Sequence, residues 1–475
     1  MSDKGAFSAP FGGILQKGQR ISLEVHDLNN LGCGVGRAPD GRAVFVAGAV
    51  AGDTVEAEII KVNKSYAVAR LLAVTAPSPH REEGFCAMPL SCGGCVYRHL
   101  SYEKELALKR EYVLHCFRKV GLLDVEVEPT RTTGEVRGYR NKAEYPVTGS
   151  EKGVWGGFYA QKTHRVVRAD GCSLQPAVFG EILRTVCGFL QENGISTYDE
   201  TTGKGLFRHL YLREGRGSGE LMVCPVLNGD ALPNEAAFVA LLREKFPRVT
   251  SILLNVNKKA TNVVLGREYR TLWGKPYLED ILCGKRFRIA PGAFYQVNHD
   301  AAELLYGLAA ERARTGAKNG LLLDLYCGAG TIGLSMAEHF QEVIGIEIVP
   351  EAVESARVNM ALNGIENASF YCGDAANAEG LLAPAEAARG AHLQPDVVIL
   401  DPPRKGCDRM LLEFLAARAV PRIVYVSCGP DTLARDCAIL RDLGYEIGAV
   451  TPVDLFPRTG HVESVVCLTR SDKAT

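Results

Sequence analysis

An excess of charge of either sign is missing from this chain: 54 lysines and arginines stand against 55 aspartates and glutamates, a formal net charge of -1. Such a balance provides no long-range field toward a polyanion, so a nucleic-acid partner has to be met by local basic patches. Long apolar runs are missing too. No uncharged apolar stretch reaches the roughly 18 residues of a membrane-spanning helix. The Ser-Asp-Lys that follows Met1 lacks the basic and then apolar segments of a secretion signal. A soluble, cytoplasmic protein with no membrane contact is expected. Its fifteen cysteines are an odd number, scattered and without an export signal, which argues against a disulfide framework and leaves thiols for other work. Cys116, Cys187, Cys224, Cys283, Cys437 and Cys467 lie in apolar surroundings and read as small core residues. At 475 residues, 47% apolar and 23% charged, the chain can bury two or three cores.

Residues 14–74 alternate in short strand-like runs: Ile21–Val25, Ala43–Val46, Thr54–Ile60 and Tyr66–Leu72, separated by the glycine-rich turns Gly32-Cys-Gly-Val-Gly36 and Asp40-Gly41. That spacing predicts a small barrel. The order Gly-Val-Gly-Arg, Asp-Gly-Arg-Ala-Val-Phe-Val and Gly-Asp-Thr-Val-Glu resembles the TRAM domain, which implies an OB-like, RNA-binding barrel with Lys17, Arg20, Arg37, Lys61 and Lys64 available to phosphates. A generic cap or dimerisation module is the competing reading.

A linker around Pro77 and Pro79 leads to Cys86, Cys92 and Cys95, spaced x5 and x2, with Gly93 and Gly94 letting the backbone wrap tightly. Cys172, in another glycine turn, is the candidate fourth ligand. Iron-sulfur clusters accept such spacing, whereas zinc, the rival, usually takes two close pairs. Ser101 is placed to cap a helix with Leu106, Val113, Phe117 and Val120 on one face and Lys104, Lys109, Arg110, Arg118 and Lys119 on others. Residues 75–290 read as an α+β domain in which Arg137, Arg140, Lys142, Lys162, His164, Arg165 and Arg168 could line an RNA path or simply a solvated face.

From 291 to 470 the pattern is α/β and Rossmann-like. Leu321–Tyr326 reads as a buried parallel strand, Gly328-Ala-Gly-Thr-Ile-Gly333 as the turn into a helix and Val343–Glu347 as the next strand. A dinucleotide oxidoreductase would share that turn. Asp324, near the end of an apolar strand, favours a cationic ligand end such as the ammonium and sulfonium of S-adenosylmethionine over a pyrophosphate. Glu347, nineteen residues past Gly328, suits ribose hydroxyls, and Asp374 suits an adenine amino group; helix capping is the alternative for both. Asp401-Pro-Pro-Arg404 follows the apolar strand Val397–Leu400 and is similar to the Asp-Pro-Pro-aromatic loop of amino-group methyltransferases, except that Arg404 cannot stack a base as an aromatic would. The next strand ends at Cys428, and Gly460-His-Val-Glu463 adds a carboxylate. A thiolate added at carbon 6 of uracil makes carbon 5 nucleophilic, and a base then removes its proton, so Cys428 and Glu463 form the candidate pair. Helix-start amides after Gly429-Pro430 are expected to lower the thiol pKa. Cys327 and Cys407 are the rival thiols.

Taken together with Phe294-Tyr-Gln296-Val-Asn298, these motifs resemble the RNA uracil-5-methyltransferases of the RumA/RlmD type over nearly the whole chain. The resemblance implies a Rossmann-like S-adenosylmethionine-dependent domain behind a TRAM barrel and an iron-sulfur domain. It further implies Cys428 as nucleophile and Glu463 as proton acceptor. Gln296, Tyr326, Thr331, Glu347, Asp374 and Asp401 would surround the cofactor and target base, and a four-iron four-sulfur cluster would sit on Cys86, Cys92, Cys95 and Cys172. Tyr326 and Thr331 stand where some members carry Phe and Asn. A monomer acting on 23S ribosomal RNA is expected, with the tRNA T-loop as runner-up. A flavin or nicotinamide oxidoreductase and a non-catalytic RNA chaperone are the other classes; neither gives a role to Cys428 and Glu463.

Overall fold

A computed structural model describes residues 15–89, 91–160, 163–314 and 319–471. Two compact units form. One holds residues up to Cys86 with Gly94–Lys109 and Arg458–His461; the other holds Ala87–Gly93, Arg110–Pro457 and the residues from Val462 on.

The first unit is built on a closed barrel of β1 (Arg20–Leu28), β2 (Cys33–Arg37), β3 (Ala43–Ala47), β4 (Thr54–Val62) and β5 (Tyr66–Ala76), in the order β1-β2-β3-β5-β4. Period-two alternation drives it: Val55, Ala57 and Ile59 point inward and are 0% exposed, as are Val44, Val46 and Ala67. Of the glycine run expected as a turn, Gly32 keeps a turn conformation at φ +73°, while Cys33–Gly36 belong to strand β2. A Cβ on Gly36 would fall 2.5 Å from Leu23 Cγ, and one on Gly34 would fall 2.7 Å from Val25 Cγ1; glycine lets two strands of a tight barrel close on each other. Lys17, Arg20, Arg37, Lys61 and Lys64 are all exposed. The helix after Ser101 runs Tyr102–Lys119, with Val113 and Phe117 buried, Leu106 half-buried and Val120 exposed. Lys109, expected on an outward face, is buried and ion-paired with buried Glu105 at 2.8 Å, because a charge out of water needs a close partner.

In the second unit β6 (Lys142–Ser150), β7 (Gly153–Tyr159), β8 (Val166–Arg168), β9 (Phe207–Glu214), β10 (Leu221–Leu227), β11 (Val249–Val256) and β12 (Glu268–Gly274) form one sheet, order β12-β11-β10-β9-β6-β7-β8. Helices Ala177–Glu192 and Glu235–Lys245 supply Phe179, Leu183, Phe238 and Leu242 to a core shared with this sheet. A hairpin of β13 (Leu278–Leu282) and β14 (Lys285–Ile289) leads into the α/β part. There β15 (Asn319–Leu325), β16 (Phe340–Glu347), β17 (Ala368–Cys372), β18 (Val397–Leu400), β19 (Arg422–Ser427), β20 (Tyr445–Ile447) and β22 (Glu463–Arg470) follow the order β17-β16-β15-β18-β19-β22-β20, with β21 (Thr451–Val453) paired to β22. The first five are parallel; β15, β16, β18 and β19, inside the sheet, read as apolar runs because both their faces are covered, while the edge strand β17 is partly exposed, and β22 runs antiparallel to β19. The strand order reverses between β15 and β18, where ligands of open α/β sheets collect. Packing is continuous past residue 290, since Tyr211, Met222 and Leu253 of the first sheet share a cluster with Leu322, Val343 and Val424 of the second. Among the described residues no helix is long and apolar enough to cross a membrane.

Candidate active site

β18 and β19 pair in parallel with Leu400 opposite Tyr425, so their carboxyl ends release Asp401 and Cys428 on the same edge of the sheet. β22 returns with Ser464 opposite Ser427, and one step further along both strands stand Cys428 and Glu463. Register alone therefore brings together two groups separated by a helix and two strands in the chain.

Their environment is dry. Glu463 is 4% exposed. Burial first, and then the neighbouring Asp401 carboxylate, push its pKa up to about 8, against a downward pull from Arg404. Asp401 is pushed up to about 7 by the loss of water around its carboxyl. Cys428 is half-buried, and the expectation of a lowered thiol pKa is overturned. Burial pushes it up, Glu463 and Asp401 add to that, and the neighbouring positive charge of Arg404 works the other way. The helix does begin at Pro430 (Pro430–Asp442), yet the Gly429 N–H donates to Ser427 Oγ at 3.1 Å and is thereby engaged away from the thiol. The rival thiols of Cys327 and Cys407 are buried.

At the switch point, Tyr326 (φ +66°), Gly328 (φ +57°) and Gly330 (φ +79°) make the turn between β15 and the helix Thr331–Ser335. A Cβ on Gly328 would meet nothing within 4 Å, so the turn faces open space, as a cofactor lying across it requires. Glu347 accepts from the Gly328 N–H at 3.0 Å and from the Val349 N–H at 2.9 Å. It stands opposite Cys372 of β17, two residues before Asp374, whose Oδ1 caps the short turn after that strand by accepting from Ala376 N–H at 3.0 Å. Asp324 is fully buried. One of its oxygens accepts from Gly333 N–H at 2.9 Å while Oδ1 has no partner, and burial pushes its pKa up to about 8. Its first role is thus to tie the glycine turn to β15.

Gln296, Thr331 and Asp401 converge on a residue that sequence reasoning missed. Tyr306 is buried in the helix His299–Ala313; its hydroxyl is 3.2 Å from Thr331 Oγ1, and Gln296 and the Asp401 carboxyl lie near enough to act on its proton affinity. Nothing marks it in the sequence, where it is one aromatic in an apolar helix. Arg404 carried a signal, being the departure from the aromatic fourth residue, but its reach to Cys428 did not show.

Residues 101–471 match the family model described as tRNA (Uracil-5-)-methyltransferase, and residues 15–72 match the TRAM domain. The chain belongs to that uracil-5-methyltransferase family. Two relatives, named only as uncharacterized RNA methyltransferases, cover nearly all of it. The one from Clostridium acetobutylicum is 38% identical over 97% of this chain and 99% of its own. The one from Halalkalibacterium halodurans is 39% identical over 96% and 98%. Among solved structures, the Pyrococcus abyssi tRNA (uracil-54, C5)-methyltransferase in complex with S-adenosyl-L-homocysteine is similar at a TM-score of 0.75 and 27% identity, covering 94% of this chain and 100% of that one. This uracil-5-methyltransferase family member is therefore an S-adenosylmethionine-dependent RNA methyltransferase with a TRAM barrel.

Of the remaining expected site residues, Cys86, Cys92, Cys95 and Cys172 are each half-buried, and among the described residues no three cysteine, histidine or carboxylate side chains are gathered as a metal site. Of the basic set in the central domain, Arg137, His164, Arg165 and Arg168 are exposed and Arg140 and Lys142 half-buried; Lys162 lies outside the described residues. His164 pairs with Glu200 and Arg168 with Asp170, which softens that face as a cationic track.

Proposed function

We propose that the enzyme methylates carbon 5 of a uridine in 23S ribosomal RNA through a covalent bond between Cys428 Sγ and carbon 6 of the base. The observation that carries this reading is the antiparallel β19–β22 register, in which a thiol and a desolvated carboxylic acid are the next residues on facing strands. Cys428, as thiolate, adds to carbon 6 and the ring electrons move to an enolate. S-adenosylmethionine, when bound, supplies an electrophilic methyl group. Carbon 5 takes up that methyl while still holding its proton, the methyl–sulfur bond breaking to leave S-adenosylhomocysteine; Glu463 in its ionised form then removes the carbon 5 proton, and the Cys428–carbon 6 bond breaks to restore the ring and the thiolate. Arg404 offsets the negative charge that gathers at sulfur. Glu347 and Asp374 would hold the ribose and adenine ends, Tyr326 and Thr331 the turn beneath them, and Gln296 and Asp401 the face toward the base.

Cys428→Ala should abolish methyl transfer with cofactor affinity intact. A 5-fluorouridine transcript, which has no carbon 5 proton to lose, should trap an adduct that maps to residue 428. An adduct on another side chain, or turnover by the alanine variant, defeats the mechanism.

The TRAM barrel together with the four cysteines favours ribosomal RNA. The tRNA T-loop is the second reading, favoured by the Pyrococcus abyssi neighbour, whose name specifies tRNA: an alignment over 94% of this chain must reach into the barrel, so a barrel does not by itself choose the RNA. Mass spectrometry of both RNAs from cells lacking the enzyme separates the two, because loss of 5-methyluridine from tRNA with 23S RNA unchanged selects the second. The cysteines keep the cluster role that the resemblance implies; one equivalent of zinc without iron or acid-labile sulfide would remove it.

A further inference from the structure

Behind the Asp401–Arg404 segment lies a set of polar side chains that touches neither base nor cofactor. We propose that Thr432, Arg435 and Asp436 are positioning residues that clamp the loop of residues 401–408 and so keep the Arg404 charge in the neighbourhood of the Cys428 thiol. This rests on the reading of Cys428 as nucleophile.

The clamp is made of backbone contacts. Thr432 Oγ1 is 3.1 Å from the Arg404 carbonyl oxygen. Arg435 Nη2 donates to the carbonyl oxygens of Lys405 at 3.0 Å and Cys407 at 3.3 Å, while its Nε donates to Asp436 Oδ1 at 2.8 Å. Asp436 is 0% exposed and accepts at Oδ2 from the Cys407 N–H at 2.8 Å and from Tyr425 Oη at 2.6 Å. All three clamp residues lie in the first two turns of the helix Pro430–Asp442, and Tyr425 lies in β19, so both grips come from the two elements that flank Cys428. Gly406 completes the fit. With φ +76°, a Cβ there would lie 2.5 Å from Arg435 Nη2 and 2.6 Å from Asp436 Oδ2, so the loop backbone runs against the clamp with no space for a side chain.

Burial anchors this loop at Pro402, Gly406 and Cys407 but not at Pro403, Arg404 and Lys405, which are exposed. A buried carboxylate satisfied by donors from three elements imposes a single arrangement on them, and that arrangement is lost if one member goes. The groups facing the Cys428 thiol are two carboxylates, Glu463 and Asp401, and one cation, Arg404. If the loop slackens, the cation leaves first, being the long, exposed side chain, and the thiol is left with the two carboxylates.

The test reads the thiol directly. Iodoacetamide labelling of Cys428, followed by mass spectrometry of its peptide across pH, is compared for wild type, Thr432→Val and Arg435→Met, both at positions with solvent access, with Asp436→Asn as the buried third variant. S-adenosylhomocysteine affinity and Tm are measured on each to identify unfolding. A tenfold change in thiolate fraction accompanies each pH unit in the midpoint, so Arg435→Met should slow labelling of Cys428 near pH 7 by roughly three- to tenfold and move the midpoint upward, with kcat falling alongside and S-adenosylhomocysteine affinity held. A residue that only stabilises the fold would lower Tm and leave the midpoint in place. Wild-type labelling profiles in folded Thr432→Val and Arg435→Met, with Cys428→Ala inactive, overturn the clamp and leave the nucleophile standing. Turnover by Cys428→Ala overturns both.

Discussion

Glu463 is a carboxylic acid held where water barely reaches it, and that single circumstance sets how the enzyme should respond to pH. With its pKa pushed up to about 8 by burial and by Asp401, the group is protonated at neutral pH, while its proposed work requires the ionised form. Turnover should therefore climb as pH rises through about 8. Stability runs the opposite way, because an acid that binds its proton more tightly folded than unfolded costs the native state free energy as pH rises from the ordinary carboxyl range, about 4.3, toward about 8. Glu463→Gln removes that cost: it should eliminate turnover yet melt higher than wild type at high pH, by roughly 1–2 °C for each kcal/mol relieved in a unit of this size, with the gap closing near pH 5. Thermal melts across that range check it; a gap independent of pH would mean that the carboxyl ionises freely. Cys428 and Glu463 could be named as the proposed pair from the chain because the proposed chemistry asks for a thiol and a base at strand ends, and the β19–β22 register sets the two side by side. Their pKa directions and the contacts of Arg404 and Tyr306 were not legible in the chain, since burial and approach are properties of the folded neighbourhood.

β2 teaches the reverse lesson for an element. Its glycines read as a turn from conformational freedom, yet they form a strand because Leu23 and Val25 across the ladder occupy the space a side chain would need. Gly36→Ala should accordingly destabilise the barrel by about 1–3 kcal/mol, in the range of overpacked cores. Denaturant melts of the full chain, read by a probe placed in the barrel, measure this; an unchanged midpoint would show that the ladder relaxes at no cost. The parallel strands β15, β16, β18 and β19 were visible as continuous apolar runs because both their faces are covered. The Tyr102–Lys119 helix was visible too, but the buried Glu105–Lys109 pair was hidden, since a lysine in a helical repeat carries no mark of having its partner four residues earlier in a place without water.

For the whole molecule, a net charge of -1 leaves RNA binding to local patches, and the exposed cations of the barrel are the natural candidates. Replacing Lys61 and Lys64 by Ala should lower the slope of log affinity against log salt by about 0.7 for each phosphate no longer neutralised, the value for single strands. Anisotropy titrations of a fluorescent RNA from about 50 to 200 mM salt read it out, and an unaltered slope would take the barrel's lysines away from the phosphates. In the second unit, meanwhile, the two sheets share one core across residue 290, a continuity that no linker composition signals.

What the chain alone determined was the inventory: the barrel's alternation, the apolar strands, and the candidate reactive residues that close them, because each is a local consequence of side-chain type and spacing. The pairing of β19 with β22, which sets Cys428 beside Glu463, and the seating of the 401–408 loop on Thr432, Arg435 and Asp436 were decided only by tertiary structure. The physical reason is that register and desolvation depend on which distant segments share a sheet, and no window along the chain contains that choice.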